Sequence, residues 1–255
     1  MRRSTTRWVI LLLVLGNCLS VSGKEIRIPA DAPLQSSVLI AERFEEWNGD
    51  EWVPLEFPAW PGDNGVRTSD WFAVHIEAHP GDVLILDPGE YTAQIWIFSP
   101  EITVMTAPDA DGLATILGTV EIDAGGVILE RIGVTDSGNP RDSGHGIEIH
   151  REFVDSVTVR GCRSFENRWT GLHIVGARGR IRELRVEDCE LGDNGMDGMD
   201  AITVDRLVIV GCTITGNGRD WSDGVGVRIG SSVLQIEMVD NVIEGNRYAD
   251  VHHND

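Results

Sequence analysis

Cationic side chains are scarce in this chain. Lys24 is the only lysine among 255 residues, and Lys plus Arg total 21 against 41 Asp plus Glu, a formal net charge of −20. A surface of that sign repels phosphate backbones and anionic lipid, which excludes nucleic acid and membrane surfaces as expected partners. Long apolar runs are missing as well. The one stretch of that character lies in residues 1–23, where Arg2, Arg3 and Arg7 precede an apolar core from Trp8 to Leu15, and Val21, Ser22 and Gly23 follow. That core falls short of the roughly 20 residues a spanning helix needs, and its layout is that of a signal peptide for export. Asn17 ahead of Cys18 fits lipid attachment poorly, and no later stretch is apolar enough for membrane insertion after signal cleavage. Removing residues 1–23 takes away three Arg and no acid, so 18 bases face 41 acids and the net charge becomes −23. The expected location is secreted, periplasmic or cell-surface.

Cysteine is sparse too. Export leaves Cys162, Cys189 and Cys212, an odd number that in a secreted protein would ordinarily mean one disulfide and one free thiol. All three occupy the same place in a repeat, which favours a buried column of small apolar side chains. A Cys162–Cys189 or Cys189–Cys212 bridge is the alternative.

The repeat is the dominant feature present. Residues 157–167 (VTVRGCRSFEN), 184–194 (LRVEDCELGDN) and 207–217 (LVIVGCTITGN) each place Cys five residues before Asn. Residues 234–246 (LQIEMVDNVIEGN) put Asn241 where Cys stood, and residues 127–137 (VILERIGVTDS) form a fainter, earlier copy. Short apolar alternations closed by Gly, Asn or Asp corners, returning every 23 to 30 residues, mark a chain wound into stacked coils. Upstream, residues 95–97, 102–104, 115–117 and 120–122 are equally brief alternations with no Asn-Gly hairpin turns between them. Stacked as parallel rungs ~4.8 Å apart, each buries one face in a common interior.

The run at residues 80–91 (PGDVLILDPGEY) resembles the opening rung of right-handed parallel β-helix proteins, and the Val-x-x-Cys-x-x-x-x-Asn coils resemble their generic repeat. The resemblance covers residues 71–255. It implies an all-β chain with a single-stranded right-handed parallel β-helix over residues 76–255. Residues 24–75, rich in Pro and Trp, read as an irregular N-terminal arm or cap whose tryptophans cover one end of the core, and residues 72–79 suit a short amphipathic helix. The resembled proteins include pectate-type, alginate and chondroitin lyases, polygalacturonase-like hydrolases, epimerases and non-enzymatic surface proteins, so fold alone names no reaction.

Candidate chemistry follows from aligning the coils on Gly146, Gly171, Gly198 and Gly224. The first outward position then holds Glu148, His173, Asp200 and Gly226, and the next holds His150, Val175, Ile202 and Arg228. Glu148 and Asp200 fall two rungs apart, roughly 9–10 Å, near the upper limit for an inverting carboxylate pair. His173 between them is suited to act as base or orienting group, although outward strand positions are also polar simply because they face water. Beside this column, three Asn corners lead into an Arg and an aromatic: Arg168 and Trp169, Arg219 and Trp221, Arg247 and Tyr248. Aromatic faces cover sugar C–H surface and Arg pairs with carboxylate or sulfate. The substrate-binding set is therefore these six residues with His150.

Asp193, Asp197 and Asp200 offer oxygen donors for Ca2+, although their spacing matches no dedicated calcium loop. Residues 142–146 (DSGHG) contain a Gly-His-Gly that resembles polygalacturonase-like hydrolases. The Asn-Thr-Asp and paired-Asp motifs before it and the Arg-Ile-Lys run after it are missing, so those catalytic roles are not carried over. His252 and His253 beside Asp250 and Asp255 form a histidine-rich tail that reads as a frayed end.

Two functions remain open. One is a polysaccharide lyase or glycoside hydrolase; in the elimination version Arg228 or His173 removes a proton while Asp197 and Asp200, with Ca2+, neutralise a uronate carboxyl. The other is a non-catalytic carbohydrate-binding or cell-surface module using the same rim. Five or six coils fit between Ile95 and Asp255, and no helix or polar strand closes the last one. Either the sequence is truncated there, or a partner or second copy caps the open end.

Overall fold

Where Val, Ile and Leu alternate with polar residues, the chain becomes strand with one face inward. Val157 and Val159 are buried while Thr158 between them is half-buried, and the strand Thr213–Thr215 buries only its central Ile214. The computed structural model describes residues 23–28, 38–41, 45–47, 52–54, 74–137, 143–150, 155–175 and 181–254. The expected signal peptide, apart from Gly23, lies outside these residues, as do Trp60 and Trp71 of the expected cap.

Three parallel sheets of eight, seven and nine strands form the walls of a β-solenoid. Each coil visits them in that order. Ser156–Arg160, Arg163–Phe165 and Leu172–Val175 make one coil, and Ile181–Glu187 begins the next. Seven such triplets follow one another, so the chain makes about six full turns. Every pairing between coils is parallel and in register, which carries Val157 onto Leu184, Leu207 and Ile236 down one wall. One core of buried Ile, Leu, Val and Ala, with Cys162, Cys189 and Cys212, runs the length of the interior.

Two corners in each of the last five coils use the left-handed backbone region. The first falls just before the Cys position, at Arg131, Gly161, Asp188, Gly211 and Asp240. The second falls just before the Asn position, at Asp136, Glu166, Asp193, Gly216 and Gly245. Gly and Asp tolerate this conformation best, which explains the recurring corner residues. Between the corners the Cys column forms as expected. The three thiols are free and buried, and the Sγ–H groups of Cys189 and Cys212 point at the carbonyls of Val159 and Val186 one coil away, at 3.4 and 3.3 Å. Neighbouring thiols and burial push both thiol pKa values up, so the column is unreactive packing.

The Asn corners stack too. Asn167 Nδ2 donates to Asn194 Oδ1 at 3.0 Å, Asn194 Nδ2 to Asn217 Oδ1 at 3.0 Å, and Asn217 Nδ2 to Asn246 Oδ1 at 2.9 Å. Each acceptor also takes the backbone N–H of the preceding Asn, at 3.1 Å in all three cases. The buried amides are thus paired on both sides, as burial demands.

The N-terminal segments correct two expectations. The helix expected over residues 72–79 is absent from 74–79, residues 72 and 73 lying outside the described residues, and no helix occurs among the described residues. Val74–Glu77 is a strand, paired in parallel with Val38–Ala41, because its ladder partners outweigh the weak helical pattern of one short window. The arm is also less irregular than its prolines imply. Glu25–Ile28 extends the eight-stranded sheet, Val38–Ala41 joins the nine-stranded sheet against Ile95–Ile97, and Glu45–Trp47 with Trp52–Pro54 makes an antiparallel hairpin. At the other end the last coil leaves Leu234, Ile236, Val239, Val242 and Val251 exposed.

Candidate functional site

The nine-stranded sheet turns a line of chemically active side chains outward. Its register reads Trp96, Glu121, Glu148, His173, Asp200, Arg228 and His252, one residue per coil. Glu148, His173 and Asp200 therefore stand on successive rungs, and His150 lies two positions beyond Glu148 in the same strand.

Arg228 occupies a different place from the one expected. Asp200 pairs with Arg228, not Gly226, and Gly226 takes the level of Gly198. Asn and the aligned Gly are four residues apart in the coils Asn167–Gly171 and Asn194–Gly198, but nine apart from Asn217 to Gly226. The longer turn makes Gly224 the wrong anchor and moves the strand by two residues. The Gly column itself is set by the Asn ladder. A Cβ on Gly171 would lie 2.6 Å from Asn194 Nδ2, and one on Gly198 2.7 Å from Asn217 Nδ2.

Arg228 is also held in place. Its Nε and a terminal nitrogen donate to the two carboxylate oxygens of Asp197, at 2.8 and 3.0 Å, and that terminal nitrogen also donates to the Asp223 carbonyl at 2.9 Å. Asp197 accepts in addition the Val225 N–H at 2.8 Å and is wholly buried. Donation to the Asp197 carboxylate holds the guanidinium pKa up. Arg228 is therefore unsuited to remove a proton, and Asp197 has no free oxygen for a cation. Asp193 sits at an exposed corner with φ 54°. The expected calcium set of Asp193, Asp197 and Asp200 thus does not converge.

Another group does. Among the described residues, one set of three His, Cys, Asp or Glu side chains brings its ligand atoms within 4.8 Å of one another: His145, Glu148 and His173. His145 precedes its strand by two residues, and the coil alignment did not reach it; the only signal was the Gly-His-Gly set aside above. Its ring stacks on His173 with centroids 4.0 Å apart and 14° between planes, and meets Trp169 edge-on at 5.2 Å. Thr170 donates its N–H to His145 Nδ1 at 3.4 Å.

Electrostatically the cluster is poised. Burial, then the neighbouring His173, pushes His145 down to about 4, so it is neutral at physiological pH. Burial would raise Glu148, but hydrogen bonds from His150 and Ser143 outweigh it and hold the carboxyl below its ordinary range. His150 Nε2 lies 3.2 Å from Glu148 Oε1 and 3.6 Å from Glu121 Oε2, and its pKa is raised chiefly by Glu148. Burial raises Glu121, which accepts from Gln94 Nε2 at 2.6 Å. His173 Nδ1 faces Asp200 Oδ2 at 3.5 Å. Glu148 Oε2, Asp200 Oδ1 and His173 Nδ1 are buried without a hydrogen-bond partner among the described residues.

The Arg and aromatic residues line the turns beside this sheet, held in order by backbone bonds between coils. Met196 N–H binds the Trp169 carbonyl at 2.8 Å, Trp221 N–H the Gly195 carbonyl at 3.1 Å, and Tyr248 N–H the Gly224 carbonyl at 2.9 Å. Arg168 lies over the Trp169 ring at 5.7 Å. Arg219 pairs with Asp220 at 3.3 Å, and Arg247 donates to the Gly218 and Arg219 carbonyls at 3.3 and 3.2 Å. Trp221 and Tyr248 are exposed, and Tyr248 meets His252 edge-on at 5.7 Å.

A family model described as a right handed beta helix region matches residues 119–254. No curated protein and no solved structure matches the chain.

Proposed function

The chain belongs to the right-handed β-helix family, and on that premise we propose that it is an exported protein that binds an acidic polysaccharide along the outer face of the nine-stranded sheet and cleaves it there. Arg168, Trp169, Trp221 and Tyr248 supply the cationic and aromatic contacts that sugar acids require. Glu148 and Asp200 flank His173 and provide the charges that hydrolysis or β-elimination draws on.

The observation that carries catalysis over binding alone is the burial of Glu148 Oε2 and Asp200 Oδ1 without a hydrogen-bond partner among the described residues. Such atoms cost free energy and are kept where they serve chemistry. The test is a screen of uronate and neutral polymers for reducing ends and for the ultraviolet-absorbing double bond that elimination leaves. Turnover lost in Glu148→Gln and in Asp200→Asn, with glycan binding retained, supports the reading. Binding with no turnover of any polymer leaves the second reading, a non-catalytic module, which the exposed Trp221 and Tyr248 would serve equally well.

A further inference from the structure

We propose that His145, Glu148 and His173 bind one divalent transition-metal ion of the zinc or cobalt class. The site shares Glu148 and His173 with the proposed reaction, but the inference rests on the geometry of the cluster and not on that reading. The three ligand atoms already lie within 4.8 Å of one another, close to the span of donors around a single ion with bonds of about 2.0–2.2 Å. Glu148 is nine-tenths buried, and its Oε2 has no hydrogen-bond partner among the described residues. An oxygen left without a donor at that depth is suited to a cation.

The donor set selects the metal. Two imidazoles and one carboxylate favour zinc, cobalt or iron over Ca2+, which prefers six or more oxygens. Asp200 Oδ2 beside His173 Nδ1 supplies the carboxylate that commonly orients a metal-bound histidine.

Ligation requires one movement. A histidine lone pair lies in the ring plane, and the planes of rings stacked 4.0 Å apart at 14° meet only far beyond bonding distance of either ring. His145 is the ring placed to turn, because the one bond to its Nδ1 among the described residues is the Thr170 N–H at 3.4 Å. Turning frees that nitrogen's lone pair for the ion and opens the stack. In the metal-bound form His173 is a ligand and not a base, leaving the open coordination positions to water or a sugar carboxylate.

Titration of the chelator-treated full chain with Co2+ alone, followed by visible absorption and equilibrium dialysis, tests the site. One Co2+ per chain, displaced by Zn2+, is expected. Uptake should vanish in His145→Gln and in Glu148→Gln, weaken about 10–100-fold in Asp200→Asn, and persist in the double variant His252→Gln, His253→Gln. Circular dichroism of each variant separates loss of the site from loss of the fold. Absence of uptake by the parent chain overturns the proposal. So does uptake that survives both His145→Gln and Glu148→Gln, or uptake lost only with the tail histidines. Glycan binding is read separately: a chain that binds sugar but no Co2+ sinks the metal site and leaves the proposed function standing.

Discussion

Arg228 holds the wholly buried carboxylate of Asp197 through two hydrogen bonds of 2.8 and 3.0 Å. The pair joins the turn after the Asn ladder to the strand one coil below. Removing one member leaves a buried charge without its counterpart, which costs about 3–5 kcal/mol. Arg228→Gln should lower the denaturant midpoint by that order. An unchanged midpoint with abolished turnover would restore Arg228 as a catalytic group.

The Asn ladder makes a second, independent prediction. Asn194→Ala removes the acceptor of both Asn167 nitrogens and the donor to the Ser164 carbonyl. Each buried polar group left unpaired costs about 1–3 kcal/mol. Urea unfolding should show a loss larger than for any exposed corner such as Glu166→Ala; equal losses would mean the ladder contributes nothing.

Gly171 tests how tightly the ladder is packed. A methyl group there would lie 2.6 Å from Asn194 Nδ2 and 2.8 Å from the Gly198 carbonyl. Gly171→Ala should cost about 1–3 kcal/mol by overpacking, despite the better intrinsic propensity of alanine. A neutral or stabilising result in thermal melts would contradict the coil spacing.

Cys162, Cys189 and Cys212 should resist aromatic disulfide reagents in the folded protein and all react on unfolding. Their burial and the raised pKa of Cys189 and Cys212 both suppress the reactive thiolate. Rapid labelling of the native chain at any of the three would show that the winding is wrong.

The rim separates binding from stability. Trp221 is 49 % exposed, so Trp221→Ala should weaken glycan affinity by about 1 kcal/mol or more while leaving the melting temperature in place. Trp169→Ala should lower both, because that ring also packs on His145 and Gly144. Affinity unchanged in both variants would remove the rim from the site.

Much of this fold was readable before any coordinate. The spacing of Cys162, Cys189 and Cys212, and of Asn167, Asn194 and Asn217, names the coil because identical side chains in register are the only way such a repeat buries itself. The column Glu148, His173 and Asp200 followed from the same spacing wherever the turns are equal in length. It failed at Arg228, where the turn after Asn217 is longer and nothing in the residues says which glycine anchors the next strand. Residues 72–79 failed for a related reason: eight residues with mixed periodicity carry less information than a waiting sheet edge.

By itself the sequence determined the period, the buried columns and the sign of the surface, since each depends on residue type and local spacing alone. Only the tertiary structure decided that Arg228 is locked to Asp197, that His145 lies on His173, and that one oxygen of Glu148 has no partner among the described residues. Those are distances between coils, set by turn lengths and side-chain packing that no single coil contains.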